Sequence, residues 1–258
     1  MPALPTARST SRSRASTPRP ALASSAVAPM AAWMGVALTG VLFTACAAQA
    51  DTVARNATEL RDALRGNTPA AALEPLKTEG WCGPQGCFVD AGELRIDRDK
   101  GGFARAEGGK KLQLVEHKAP GGDALPDLDW TPTDAYRVMA GGQRWGSCLE
   151  FSHAGVGKSG TFQRWTSVVL VPFNGATPGA TAHRFVGYWT GCDSLVSGAT
   201  TGTLSLRVVE RSEPKADKPL RLMAYQCSAR GCEGQPDRRA ISGEPGNAQD
   251  GSLTISQP

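Results

Sequence analysis

From Trp81 onward, apolar and polar residues alternate with a period of two, the pattern of strands that bury one face. Glu93-Leu94-Arg95-Ile96-Asp97 and Lys111-Leu112-Gln113-Leu114 alternate without a break, and residues 135–139 and 149–153 follow the same rule. Residues 161–173 differ. Trp165, Ser167, Val169 and Val171 fall on one face, and Thr166, Val168 and Leu170 on the other. Both faces are largely apolar, which predicts a central strand covered on both sides and ending at Pro172. Residues 182–189, 204–208 and 220–224 read as further strands, and Leu253 with Ile255 as a last edge strand. The 30 glycines and 18 prolines suit many tight turns. The expected fold is mainly β, an antiparallel β-barrel or β-sandwich of about 8–10 strands. Residues 211–219 and 233–250 are polar and rich in Pro and Gly, and read as loops.

Ahead of the strands the period is helical. Asn56, with Glu59 three residues later, forms a capping box, and Leu60, Ala63 and Leu64 share one face. Thr68-Pro69 reads as the cap and first residue of a second short helix, with Leu73 and Leu76 on its apolar side and Pro75 limiting its length. The chain therefore divides into an export segment at 1–50, a helical lead-in at 51–80 and a β-domain at 81–258.

The export segment contains no Asp or Glu. Arg8, Arg12, Arg14 and Arg19 precede an apolar run from residue 30 to 45, and Ala48-Gln49-Ala50 offers a small-x-small cleavage site. These are the parts of a secretory signal peptide, cleaved after Ala50, and they place the mature chain in the periplasm or outside the cell. The apolar run is shorter than the roughly 20 residues of a membrane span, and no later stretch is long enough. Phe43-Thr44-Ala45-Cys46 resembles a lipoprotein cleavage box, and that alternative leaves a lipid anchor on Cys46.

Charge narrows the partners. Of 28 Lys and Arg, four lie in the export segment, so the mature chain balances its 24 acidic residues. The electrostatic footprint of nucleic-acid binding is missing.

Six cysteines follow the export segment: Cys82, Cys87, Cys148, Cys192, Cys227 and Cys232. An even count outside the cytosol reads as a disulfide framework. The simplest pairing is local for the two C-x4-C units, Cys82–Cys87 and Cys227–Cys232, and long-range for Cys148–Cys192. The long loop gives the last bridge the greatest weight, about 4 kcal/mol in the chain-entropy model. A zinc site from Cys82, Cys87, Cys227 and Cys232 is the competing reading. Trp81-Cys82-Gly83-Pro84 resembles the start of the thioredoxin active-site motif, but Gln85 and Gly86 displace the second cysteine, and no helix-forming run follows.

No complete catalytic motif is present. Gly155-Val156-Gly157-Lys158-Ser159 has the end of a phosphate-binding loop and lacks its first glycine. His117, His153 and His183 lack metal-ligand spacing. Asp123, Asp127 and Asp129 beside Trp130 make an acidic turn without the rest of a calcium loop. The strongest candidate for ligand binding is a set of aromatic and basic residues: Arg144, Trp145, Arg164, Trp165, His183, Arg184, Trp189 and Asp193. Trp and Arg dominate binding hot spots and stack well on ligands. The expectation is an exported binding protein for a small molecule or a protein partner, with inhibitor-like docking as one form. It calls for no cofactor and no metal. A hydrolase built on a histidine is the alternative.

Overall fold

The computed structural model describes residues 51–118, 127–153, 165–198, 200–211, 220–243 and 252–256. The export segment with Cys46, Asp123, residues 155–159 and Arg164 lie outside them, as does the side chain of His153. All the described residues belong to one compact unit, 47–258.

In chain order, β1 (Thr52–Ala54) leads into helix α1 (Ala57–Arg65). Six strands follow: β2 (Ala72–Pro75), β3 (Thr78–Gly83), β4 (Gly86–Ala91), β5 (Leu94–Asp97), β6 (Phe103–Arg105) and β7 (Lys111–His117). The middle of the chain supplies β8 (Leu128–Ala140), β9 (Gln143–His153), β10 (Trp165–Asn174), β11 (Thr177–Pro178) and β12 (Thr181–Tyr188), then a 3-10 turn at Cys192–Ser194 and β13 (Val196–Ser197). The last strands are β14 (Leu204–Arg211), β15 (Leu220–Ser228), β16 (Gly231–Pro236), β17 (Ala240–Ser242) and β18 (Leu253–Ser256).

One large sheet runs β2-β8-β9-β10-β12-β7-β6-β5-β4-β3, with β11 folded back on β10. Its ladders are antiparallel except for β7 against β12. It curls into a half-barrel. The curl lets the sheet cover itself: Val89, Ala91, Leu94 and Ile96 join Leu149, Phe151, Val169 and Val171 in one core. The outer face carries a second core, where Cys148, Val168, Leu170 and Phe185 meet Leu206, Val208 and Tyr225 of the sheet β13-β14-β15-β16. A third core lies under α1 and the small sheet β1-β18-β17, around Leu60, Leu64, Val209, Leu222 and Ile255.

The mainly β expectation holds, and β10 is the two-faced central strand that its sequence indicates. Val168 and Leu170 point into the outer core, and Val169 and Val171 into the inner one. The strand runs two residues past Pro172, whose carbonyl accepts from Gly179 N at 2.8 Å. The described residues contain eighteen strands, more than alternation marks, because pieces such as β1, β11 and β13 are too short to show a period.

The helix α1 forms as its cap predicts. Asn56 accepts from Glu59 N at 2.9 Å, and Glu59 reaches back to Arg55 N at 2.7 Å, so two end donors are satisfied together. A second helix does not follow Pro69. Residues 72–75 form β2 instead, with Leu73 opposite Val138 of β8, because the edge of the large sheet offers hydrogen-bond partners that a short, proline-interrupted helix lacks. Residues 233–236 and 240–242 lie in strands, where the sequence reads as a loop over 233–250. The Cys227–Cys232 hairpin carries β16 along β15, and β17 pairs with β18.

Candidate functional site

The three cysteine pairs are Cys82–Cys87, Cys148–Cys192 and Cys227–Cys232. The two local bridges join residues directly opposite each other in their hairpins. They lie in different sheets, each closed on itself, so the four sulfurs do not gather around one ion. Disulfides fit an extracellular or secreted protein. No helix among the described residues is long and apolar enough to cross a membrane.

Among the described residues, the aromatic and basic side chains singled out in the sequence do not gather in one place. Arg144 pairs with Glu93, one contact at 2.6 Å, and its guanidinium lies 4.2 Å from the centre of the Phe173 ring. Hydrogen bonding from Arg144 holds Glu93 below the usual carboxylate range. Trp145 points the other way and is buried in the core between the two sheets. His183 and Arg184 occupy opposite faces of β12, and Arg184 donates to Glu116 at 2.9 Å. Trp165 packs on Tyr188 beside α1. Trp189 and Asp193 do share a partner. Arg61 of α1 donates to the Trp189 carbonyl at 2.9 Å and to the Asp193 carboxylate at 2.6 Å. Trp189 has φ of 51°, a region that bulky residues seldom adopt; Arg61 bonds its carbonyl and the tilted Tyr188 ring packs 4.5 Å from its own. This cluster docks α1 onto the turn at Cys192. Beneath it, Glu150 accepts from Cys192 N at 2.7 Å, and burial pushes its carboxyl up.

Two other places have the geometry of sites. The first is the stapled hairpin β3–β4. Trp81 faces Phe88 across the ladder, and Asp90 faces Arg95 on β5. The period of two puts all four side chains on one face, while Val89, Ala91, Leu94 and Ile96 fill the core from the other. Trp81 is 39% exposed, one of two large apolar side chains left open among the described residues. It is nevertheless held on several sides. Its indole N–H donates to Asp90 at 3.1 Å, its ring lies 4.8 Å from that of Phe88, and the Arg95 guanidinium sits 5.0 Å from its centre. Arg95 is itself fixed by two hydrogen bonds to Asp90, at 2.8 and 3.1 Å, and these hold Asp90 below the usual carboxylate range. Every residue of β3 is exposed. Among the described residues, β3 pairs with β4 alone, so its outer edge is open. The sequence signal for this site was the Trp81-Cys82 step together with the alternation through Phe88, Asp90 and Arg95. It was not recognised, because face-sharing needs the hairpin register.

The second place is a pair of imidazoles. His117 Nε2 and His183 Nδ1 are 3.0 Å apart, and His183 Nε2 is 3.1 Å from Thr181 Oγ1. His117 stacks on Phe185 with ring centres 4.7 Å apart, and Tyr225 meets its edge at 5.5 Å. The Tyr225 hydroxyl turns away to donate to buried Glu210 at 2.6 Å. Burial, and then the neighbouring His183, push His117 down to about 4, and burial lowers His183 as well. Both rings are therefore neutral near pH 7. The Sγ of Cys232 completes a group whose ligand atoms all lie within 4.8 Å of one another. The rings hydrogen-bond each other and Thr181, so they do not make the carboxylate–histidine–serine chain of a hydrolase. Spacing in the sequence could not reveal the pair, which depends on the parallel ladder that sets His117 opposite Phe185.

No family model, curated protein or solved structure matches the chain.

Proposed function

We propose that the protein is an exported binding domain that engages a protein partner through the stapled β3–β4 hairpin. The observation that carries this reading is Trp81: a large aromatic side chain left open to solvent yet braced by Asp90, Phe88 and Arg95. Burying an already ordered Trp–Arg pair forfeits little side-chain entropy, the condition under which a few residues supply most of the binding energy. Small-molecule sites are concave, whereas this one lies on an exposed hairpin, which favours a macromolecular partner. The open edge of β3 offers main-chain hydrogen bonds to an added strand.

Export is supported by the acid-free, arginine-bearing segment that ends at Ala48-Gln49-Ala50, and by the disulfides. In this reading the periplasm or the cell exterior is the working compartment, with cleavage after Ala50, and lipidation at Cys46 is the variant that tethers the domain.

The test is a photo-crosslinking residue placed at Gln85, at the hairpin tip, in the protein expressed in its own host. One discrete protein adduct is expected. Trp81→Ala should diminish it at unchanged Tm, and the isolated pair should lose about 30-fold in affinity, as removal of a hot spot worth about 2 kcal/mol implies. No adduct, a smear of adducts, or an adduct indifferent to Trp81→Ala refutes the reading.

A further inference from the structure

The hairpin leaves the corner of His117, His183 and the Cys227–Cys232 bridge unused. Three elements far apart in sequence meet there. His117 ends β7, His183 lies near the start of β12, and Cys232 opens β16. The parallel register pairs His117 with Phe185, and His183 sits two residues before Phe185 on the same face. The hairpin backbone packs beside the imidazole: a Cβ at residue 231 would stand 3.8 Å from His183 Cε1, an ordinary contact distance. The three side chains present two imidazole nitrogens and a sulfur within 4.8 Å of one another. Neutral imidazoles and thiolates are the donors that zinc prefers.

We propose that reduction of the Cys227–Cys232 disulfide turns this corner into a zinc-type site, with His117, His183 and Cys232 as ligands. The reductant is a dithiol. Two electrons and two protons pass to the bridge, the dithiol closes to its own disulfide, and the ion then displaces the thiol proton of Cys232 as it binds. Cys232 is only partly buried and borders a hollow of about 410 Å³, lined also by Arg230, Glu233 and Thr203, so the bridge is reached from its Cys232 side. Cys227 is fully buried, as are both ends of the Cys148–Cys192 bridge. Cys82–Cys87 is also exposed to reductant, but has no imidazole beside it among the described residues.

The geometry is close to what an ion needs. Tetrahedral zinc with Zn–N of about 2.05 Å holds two nitrogens about 3.3 Å apart. The present separation is 3.0 Å. Opening the pair by about 0.3 Å fits the two nitrogens to the ion, the freed Cys232 thiolate closes in by rotation of its side chain, and the hydrogen bond between the rings is exchanged for two metal bonds. Oxidised, the bridge sulfurs are poor donors, so the site is gated by redox state.

The experiment titrates the oxidised and the dithiol-reduced protein with Zn2+, and follows Co2+ substitution by absorption. The reduced protein should bind one Zn2+ at least about 100-fold more tightly than the oxidised protein, and His117→Gln should erase that gain. The Co2+ form should show tetrahedral bands and a thiolate charge-transfer band, the latter weakened in Cys232→Ser. A Cys82→Ala/Cys87→Ala variant should bind as the parent does. Equal binding by oxidised and reduced protein, binding indifferent to His117→Gln, or loss of the site with the Cys82–Cys87 bridge overturns the proposal. So does a reduced chain that neither stays folded nor recovers its fold with Zn2+.

Discussion

Replacing both ends of the buried bridge, Cys148→Ala with Cys192→Ala, tests how the three disulfides divide their work. The two residues are 44 apart in sequence, fully buried, and join β9 to the turn after β12. In the chain-entropy model a loop of about 45 residues costs the unfolded chain about 13 cal/mol/K, or about 4 kcal/mol at 25 °C. The clips Cys82–Cys87 and Cys227–Cys232 span a separation of five. The same expression gives each of them about 2 kcal/mol. Urea denaturation of the oxidised protein, followed by near-UV circular dichroism, measures the difference. With an m-value of about 2 kcal/mol/M, the core variant should lose about 2 M in its midpoint, and Cys82→Ala with Cys87→Ala about half that. The ranking is the sharp part. A core variant that loses less than about 1 kcal/mol, or no more than the hairpin variant, refutes the assignment of the bridge's weight to loop closure.

Three further outcomes are expected. Stability should fall as pH drops from 6.5 to about 4, because the unfolded chain takes up a proton that folded His117 refuses, at a cost of up to about 3 kcal/mol. A second fall should follow below pH 3.8. Burial pushes Asp237 up, but hydrogen bonds from Arg239 and Arg207 hold it at about 2, and about 2 kcal/mol of that pairing is lost as it protonates. Midpoints in urea between pH 8 and 2 check both, and a flat profile from pH 7 to 4 contradicts the first. Gly187→Ala should lower Tm sharply, since a Cβ there meets Thr190 Oγ1 and Val208 Cγ1 at 2.3 Å, and such overpacking costs about 1–3 kcal/mol. An unchanged Tm contradicts the close approach of β12 to β14.

Much of the fold was legible residue by residue. The capping box of Asn56 and Glu59, the alternation of β5 and the two apolar faces of β10 are local facts, set by periods of 3.6 and 2 that require no knowledge of neighbours. The local clips were legible for the same reason, since a four-residue turn leaves Cys82 and Cys87 nowhere else to meet so readily. The second helix was misread because β2 is held by β8, a partner more than sixty residues away. Arg-Trp adjacency implies opposite faces of a strand, and Arg144 and Trp145 accordingly separate to Glu93 and to the core.

By itself, then, the sequence determined the strand-rich class, the capped first helix and an even set of cysteines suited to an oxidising compartment. Each follows from nearest neighbours along the chain. Tertiary structure alone decided that the large sheet curls over itself, that Trp81, Asp90 and Arg95 share an open face, and that His117 and His183 touch across 66 residues of sequence. Those outcomes depend on ladder register and on the parallel pairing of β7 with β12. Register couples residues whose distance in the chain carries no information about their distance in space.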